Sequence, residues 1–446
     1  MTINRRYDVV VIGAGLAGVV AAAAAAGAGA KVGVVSRGPG NLALWSGLVS
    51  GPMQEEPARR PAGASDRAVG FFLRHSQAAG LPYRSGRQAR LPGDTFHILA
   101  PSGRPVRARL APETMAPGDV RSFTGGRTLL LVGFTELADY PAAFIAARAR
   151  AQAGLAVEAR SLSLGTAAGR GSPVRVARLF DAQSWFAAFL DSAGRLLRAE
   201  LSRATTAAVA VPPVLGVLRA SENLARLTAA WGRPVFELPA LPPSIPGSRF
   251  WTFWRHRLET TQGVRLHLGR TVISFAARDG RCLRVTDDAA DAYEASAFVL
   301  ATGGVAGGGL TVSPTAFLDA VQGQTSGTST AVGVEEKDRG LIAEPIFGLP
   351  TAGPLPAGPD ERPGSDPRRA WRCWGVKVGT NGASSTLANV FVAGWELGGR
   401  VGTPSEVAGP DALLSIETGW RAGIRAARCA AATEPDRGET EEEDGR

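Results

Sequence analysis

The sequence predicts an α/β protein built around a parallel sheet, and three stretches carry that expectation. Residues 7–37 read as strand, glycine turn, helix and strand. Residues 297–304 are an apolar run ending in Thr302-Gly303-Gly304, and residues 389–396 repeat the logic as NVFVA followed by Gly394-Trp395-Glu396. In each case a short apolar run, the length of a strand buried on both faces, runs straight into glycine.

The first stretch organises the rest. Gly13, Ala14, Gly15, Leu16, Ala17 and Gly18 follow the strand at 9–12 as G-x-G-x-x-G, ahead of an alanine-rich helix and a second strand at 31–35. The first glycine serves a tight turn, the second lets a pyrophosphate approach the backbone, and the third lets the helix press on the sheet. The helix N-terminus then offers free N–H groups and a positive dipole end to phosphates. This is the pattern of a Rossmann-like FAD/NAD(P)-binding domain. One position departs from it. The second strand ends in Ser36-Arg37, where an acidic residue usually holds the adenosine ribose. Arg37 suits a 2′-phosphate, Ser36 a weaker ribose contact, and an adenosine half held loosely or absent is a third reading. The motif by itself leaves nicotinamide and flavin open.

The same stretch imitates a secretory signal, with Arg5-Arg6, a long uncharged run and the small residues Ala28-Gly29-Ala30. Cleavage there would destroy a coherent strand–turn–helix unit, so the expectation is a soluble cytoplasmic chain with no membrane span.

A length of 446 residues favours two intertwined domains, and an apolar fraction of 45% is ordinary for a globular protein. Cys282, Cys373 and Cys429 show no C-x-x-C spacing, which argues against a disulfide framework, a zinc site or an iron–sulfur cluster within this chain. The formal charge of +9 comes almost wholly from arginine, since lysine stands only at Lys31, Lys337 and Lys377. Arg104, Arg107, Arg109, Arg121 and Arg127 suggest a basic face without interleaved aromatics; a solvated surface is favoured over an acidic partner protein, and that over nucleic acid. The acidic residues from 434 to 446 read as a disordered tail with no role in chemistry.

Taken in order, the turn Gly38-Pro39-Gly40 leads into Leu44-Trp45-Ser46-Gly47, a loop expected to leave the carboxyl edge of the sheet near the phosphates or a flavin ring. Residues 55–127 resist assignment. Residues 129–134 read as a strand, and 140–153 and 181–201 as helices, the latter with Phe186, Phe189 and Leu190 on one side. In FELPALPPSIPGSRFW, Pro239, Pro242, Pro243 and Pro246 set a stiff path to a helix start at Ser248-Arg249. Arg249 is the candidate anchor for an anionic substrate, a domain crossing with a surface arginine being the blander reading. A strand at 264–268 and a meander at 271–287, turning at Asp279-Gly280, precede the strand at 297–301. After Gly394 and Gly398-Gly399, Gly409-Pro410-Asp411 opens a helix through 432 whose start is expected to face the electron-rich edge of a flavin. Three strand ends converging on one ligand favour flavin over nicotinamide. His75, His97, His256 and His267 are isolated and read as structural, and no general base stands out.

The quoted segments resemble a known family, the B subunit of the anaerobic glycerol-3-phosphate dehydrogenase, a flavoprotein of the FAD-dependent oxidoreductase type. The resemblance runs through DVVVIGAGLAG, VVSRG, LWSGL, ARLFD near Arg178, LPALPPSIPGSR, FVLATGGVAGGGL, EPIFGLP around Glu344 and NVFVAGWELGG. The LPALPPSIPGSR and EPIFGLP segments are the particular ones. It implies a flavin-bearing subunit, with FAD or alternatively FMN, of a three-part respiratory enzyme that oxidises glycerol 3-phosphate to dihydroxyacetone phosphate and passes electrons to quinone. The implied partners are a catalytic FAD subunit and an iron–sulfur subunit that alone touches the membrane. The implied cofactor residues are Gly13, Ala14, Gly15, Leu16, Ala17, Gly18, Ser36, Arg37, Ser46, Gly47, Thr302, Gly303, Gly304 and Gly394. The stretch with Pro404, Glu406 and Pro410 departs from a more glycine-rich family pattern. The expected division is a flavin-binding domain of 1–52, 247–310 and 372–432, an inserted α+β cap or substrate domain of 53–246 and 311–371, and the tail 433–446. Two other readings stand beside the enzyme: a non-catalytic flavin-bearing electron relay or scaffold, and a standalone NAD(P)H-dependent flavoenzyme suggested by Arg37.

Overall fold

The structure, a computed structural model, describes residues 3–50, 64–86, 95–123, 125–169, 171–307, 310–312, 343–345, 351–352, 375–376, 378–379, 381–397 and 412–433. The chain divides into two compact units, residues 1–40 with 258–401 and 415–446, and residues 41–257 with 402–414. The expected boundaries at 52 and 247 thus fall at 40 and 257. Residues 311–371 group with the first unit, although most of them lie outside the described residues, as do the acidic tail from 434, the stretch 398–411 and Ile346 to Pro350 of the EPIFGLP segment.

In the first unit, the strands Arg265–Leu268, Val32–Ser36, Asn4–Ile12, Ala292–Leu300 and Val390–Val392 lie side by side, all parallel. Their central residues are apolar and β-branched, as a sheet covered on both faces requires: Val9, Val10, Val11, Val34 and Val299 are fully buried. The long strand Ala292–Leu300 serves two ladders. Its carboxyl half pairs with Val390–Val392, and its amino half pairs antiparallel with Arg281–Asp287, which turns at Asp279-Gly280 into Val272–Arg278. The helix Leu16–Gly27 returns the chain from the first strand to the second. Its alanines are small because the last helix, Ala412–Ala431, crosses them closely. A Cβ on Gly419 would meet the Ala17 carbonyl at 2.4 Å, and one on Gly423 the Ala21 carbonyl at 2.2 Å.

The second unit differs from the expected α+β cap. It holds a second, wholly parallel sheet in the order Val235–Glu237, Thr206–Val211, Thr128–Phe134, Val157–Leu162. The helices Ala142–Ala153, Pro173–Asp181, Gln183–Leu196 and Ala220–Trp231 connect its strands, so this unit too is α/β, with two small antiparallel ladders beside the sheet. The expected long helix at 181–201 is broken at Ala182 and Leu197, with Phe186 and Phe189 buried as expected. The strand Val157–Leu162 has little signature in sequence, because VEARSL alternates weakly and carries Glu158 and Arg160 among its six residues.

Candidate cofactor site

The G-x-G-x-x-G loop sits where parallel sheets bind ligands, outside the carboxyl ends of the strands. Gly13 has φ +105°, and a Cβ there would lie 2.3 Å from the Ala301 carbonyl oxygen. A Cβ on Gly18 would lie 1.9 Å from the Gly13 carbonyl. These two glycines are therefore demanded by the protein's own packing. Gly15 is different: a Cβ there meets nothing within 4 Å. It stands at the N-cap of the helix with no side chain capping the free N–H groups. Among the described residues, nothing closes that helix end to an external anion.

Ser36 braces this loop from the second strand. Its Oγ accepts from the Ala14 N–H at 3.1 Å and donates to the Gly38 carbonyl at 2.8 Å. The hydroxyl proton is thus directed within the chain, while Arg37 beside it is exposed. Two further strand ends close on the same place. Gly394, with φ +70°, would press a Cβ on Ala17 at 2.9 Å, and its N–H donates to Thr418 Oγ1 at 2.8 Å. Gly304, with φ +59°, would press a Cβ on the Trp395 carbonyl at 2.5 Å.

The clasp between those two ends is Glu396, which in the sequence stands only as a neighbour of Gly394 and is absent from the expected site residues. Its side chain is fully buried. Oε2 accepts from Thr302 Oγ1 at 2.5 Å and from the Gly304 N–H at 2.9 Å, whereas Oε1 has no hydrogen-bond partner among the described residues. Burial raises its pKa above the ordinary carboxylate range, and the two hydrogen bonds only partly oppose that. The signal for it is a lone acid directly after a strand–glycine end, where a loop residue would ordinarily face water.

Gly13, Ala14, Gly15, Leu16, Ala17, Gly18, Ser36, Arg37, Thr302, Gly303, Gly304 and Gly394 all belong to the first unit, at the carboxyl ends of its strands. Ser46 and Gly47 belong to the second unit. There Ser46 is buried and accepts from the Leu48 N–H, and Gly47 packs on Met115 and Pro246. The helix start at Gly409-Pro410-Asp411 lies outside the described residues; the helix itself packs along Leu16–Gly27.

Arg249, the expected substrate anchor, is engaged within the chain. It is 2% exposed, not a free guanidinium at a helix start. Its Nη1 and Nη2 meet both carboxylate oxygens of the fully buried Glu237 at 2.5 and 2.7 Å, and its Nε donates to the Gly216 carbonyl at 2.6 Å. Glu237 also accepts from the Leu215 N–H. The fork–fork pair consumes the donors a substrate anion would need. Directly after Gly216, the N–H groups of Val217, Leu218 and Arg219 donate to Asp181. The second sheet reverses its strand order between Thr128–Phe134 and Thr206–Val211, and the loop that follows the latter strand is tied down by the chain's own charges. The expected basic face is also neutralised in part, with Arg109 on Asp66 and Arg121 on Asp119, each at 2.6 Å. Among the histidines, the ring of His75 bonds the Phe71 carbonyl and that of His267 bonds the Tyr7 hydroxyl at 2.7 Å. Burial lowers the pKa of both, which keeps them neutral near pH 7. Among the described residues no helix is long and apolar enough to cross a membrane.

No protein-family model matches the chain. Over 94% of its length it is 28% identical to a Halobacterium salinarum protein named as the probable B subunit of an anaerobic glycerol-3-phosphate dehydrogenase, covering 97% of that protein. It is 27% identical over 291 residues to the anaerobic glycerol-3-phosphate dehydrogenase B subunit of Pectobacterium carotovorum, spanning 60% of this chain and 67% of that one. Among solved structures, Mycobacterium smegmatis Sdh1 in complex with UQ1 aligns with 98% of this chain and 70% of its own at 13% identity and a TM-score of 0.37. The fold assignment rests on the strand order and not on that likeness. The sequence similarity runs through both units and 97% of the Halobacterium salinarum protein, so the chain is similar over nearly its whole length to proteins named as the B subunit of anaerobic glycerol-3-phosphate dehydrogenase.

Proposed function

We propose that the first unit binds a flavin and that the chain is the flavin-bearing subunit of an oxidoreductase acting on glycerol 3-phosphate. The observation that carries this reading is the open helix end at Gly15, beside two other strand ends that close on the same loop. The backbone N–H groups from Ala14 to Gly18 would take a pyrophosphate. Thr302, Gly303, Gly304 and Gly394 would bring backbone against the rest of the cofactor, FAD in the first instance and FMN as the alternative. When bound, a flavin supplies a two-electron acceptor that can hand electrons on singly or in pairs. The residues of this chain hold and orient it: Ser36 fixes the glycine loop, and Glu396 locks the Thr302–Gly304 turn to the Gly394 turn. Dihydroxyacetone phosphate is the product of this reading. A catalytic FAD subunit and an iron–sulfur subunit would complete the complex and carry electrons to quinone, with membrane contact through the partner alone.

A second reading, a non-catalytic electron relay, has its own support. Among the described residues at the carboxyl ends of the parallel strands, the side chains able to act as a base are Glu396 and His267. The first is fully buried, and the second is bonded to Tyr7. The standalone NAD(P)H-dependent reading would need a second G-x-G-x-x-G loop, and the sequence has none. The test is turnover of glycerol 3-phosphate with an artificial electron acceptor, by the purified chain and by the chain co-expressed with its partners. Turnover by the chain alone supports the enzyme. Flavin without turnover until partners are added supports the relay, and no turnover in either preparation removes glycerol 3-phosphate from the account.

A further inference from the structure

The last helix, Ala412–Ala431, buries Ala422, Ala426, Ala427 and Ala430 and carries Arg421, Arg425 and Arg428 on another side. Spacings of four and three residues put these three cations in one row. Arg428 is exposed and the other two are half-buried. Among the described residues none of the three forms an ion pair with a carboxylate. The Arg425 guanidinium donates to the Asn381 carbonyl. Burial, together with the charges of Arg421 and Arg428, lowers the Arg425 pKa, the mark of like charges held together. A fourth arginine joins them at the end of the helix: Arg281, on the strand Arg281–Asp287, donates to Cys429 Sγ at 3.8 Å and to Thr433 Oγ1 at 3.3 Å. Some other arginines of the chain are matched with acids, as Arg109 with Asp66, Arg121 with Asp119 and Arg160 with Glu200.

We propose that this arginine row is a docking face for the acidic segment 434–446 of the same chain. The segment lies outside the described residues and begins directly after Thr433, where the row ends. Its thirteen residues hold seven acids, Glu434, Asp436, Glu439, Glu441, Glu442, Glu443 and Asp444, against Arg437 and Arg446. Reach is sufficient. From Thr433 to Glu441 an extended chain spans roughly 26 Å, while the helix from Arg421 to Thr433 is only about 18 Å long. The densest acids can therefore fold back over all three arginines. The pairs are solvent-facing and individually weak, so the contact must be salt-sensitive.

The experiment places a fluorophore after Arg446 on the full chain and follows its anisotropy from about 20 mM to about 0.5 M salt, over which the Debye length shrinks from roughly 20 Å to about 4 Å. High anisotropy that falls with salt is expected for the unmodified chain. Low anisotropy at every salt concentration is expected for R421Q/R425Q/R428Q. The single change R428Q removes the exposed member without touching packed residues, and E441Q/E442Q/E443Q/D444N changes only the segment; both should lower the low-salt anisotropy. If R428Q and the segment variant match the unmodified chain at low salt, the segment does not lie on the row and the proposal falls.

Discussion

Gly15 and Gly18 are both glycines of one motif, yet the structure gives them different reasons to be glycine. A methyl group at Gly18 meets a carbonyl at 1.9 Å, whereas one at Gly15 meets nothing and would project into the open helix end. Gly18→Ala should therefore destabilise the protein by about 1–3 kcal/mol or more. Gly15→Ala should leave the melting temperature of the cofactor-free protein unchanged and weaken flavin binding. Equal thermal losses for the two variants would contradict this assignment of roles. Glu396 gives a pH-dependent counterpart. Its folded pKa is raised, so the folded chain keeps the proton to higher pH than the unfolded chain does. Its burial thus costs stability increasingly as pH rises above the ordinary glutamate range. Glu396→Gln keeps an acceptor for Thr302 and Gly304 without a charge to bury. The variant's melting temperature relative to the parent should climb as pH rises above the ordinary glutamate range, and a flat difference would show that Glu396 is not held protonated.

Among the elements, the buried Arg249–Glu237 pair ties the start of the helix Ile245–Thr260 to the strand Val235–Glu237 and to the turn at Leu215-Gly216. Arg249→Ala would leave a buried carboxylate unpaired, at a cost of about 3–5 kcal/mol. Its signature is a lower unfolding midpoint in urea, with substrate affinity of any folded fraction unchanged; a selective loss of affinity at normal stability would restore Arg249 as a substrate anchor. The crossing of Leu16–Gly27 by Ala412–Ala431 makes a parallel case, since Gly423→Leu has no room beside Ala21 and Ala24 and should unfold that contact. These contrasts explain what is legible in the sequence. Strands such as 129–134 and 264–268 can be placed nearly to the residue, because apolar runs bounded by turn signals are local properties of the chain. The parallel second sheet cannot, since strand order depends on pairings between residues as far apart as Leu129 and Ala208. Arg249 misleads for a related reason: an arginine at a helix start looks exposed until the strand bearing Glu237 is known to lie against it. Glu396 is hidden because its burial is a product of three chain segments meeting.

For the whole molecule, one unit presents an open, uncapped helix end at the carboxyl edge of a parallel sheet, and the other ties down the loop after Val211 with Asp181, Glu237 and Arg249. That difference favours the first unit as the home of the proposed flavin. The most direct test is to purify the chain, record its visible spectrum, release any bound small molecule by heat and identify it by chromatography. A yellow protein that releases FAD or FMN is expected, with a Gly15→Ala variant of the same fold that holds less flavin. A colourless protein that takes up neither flavin when it is supplied would contradict it.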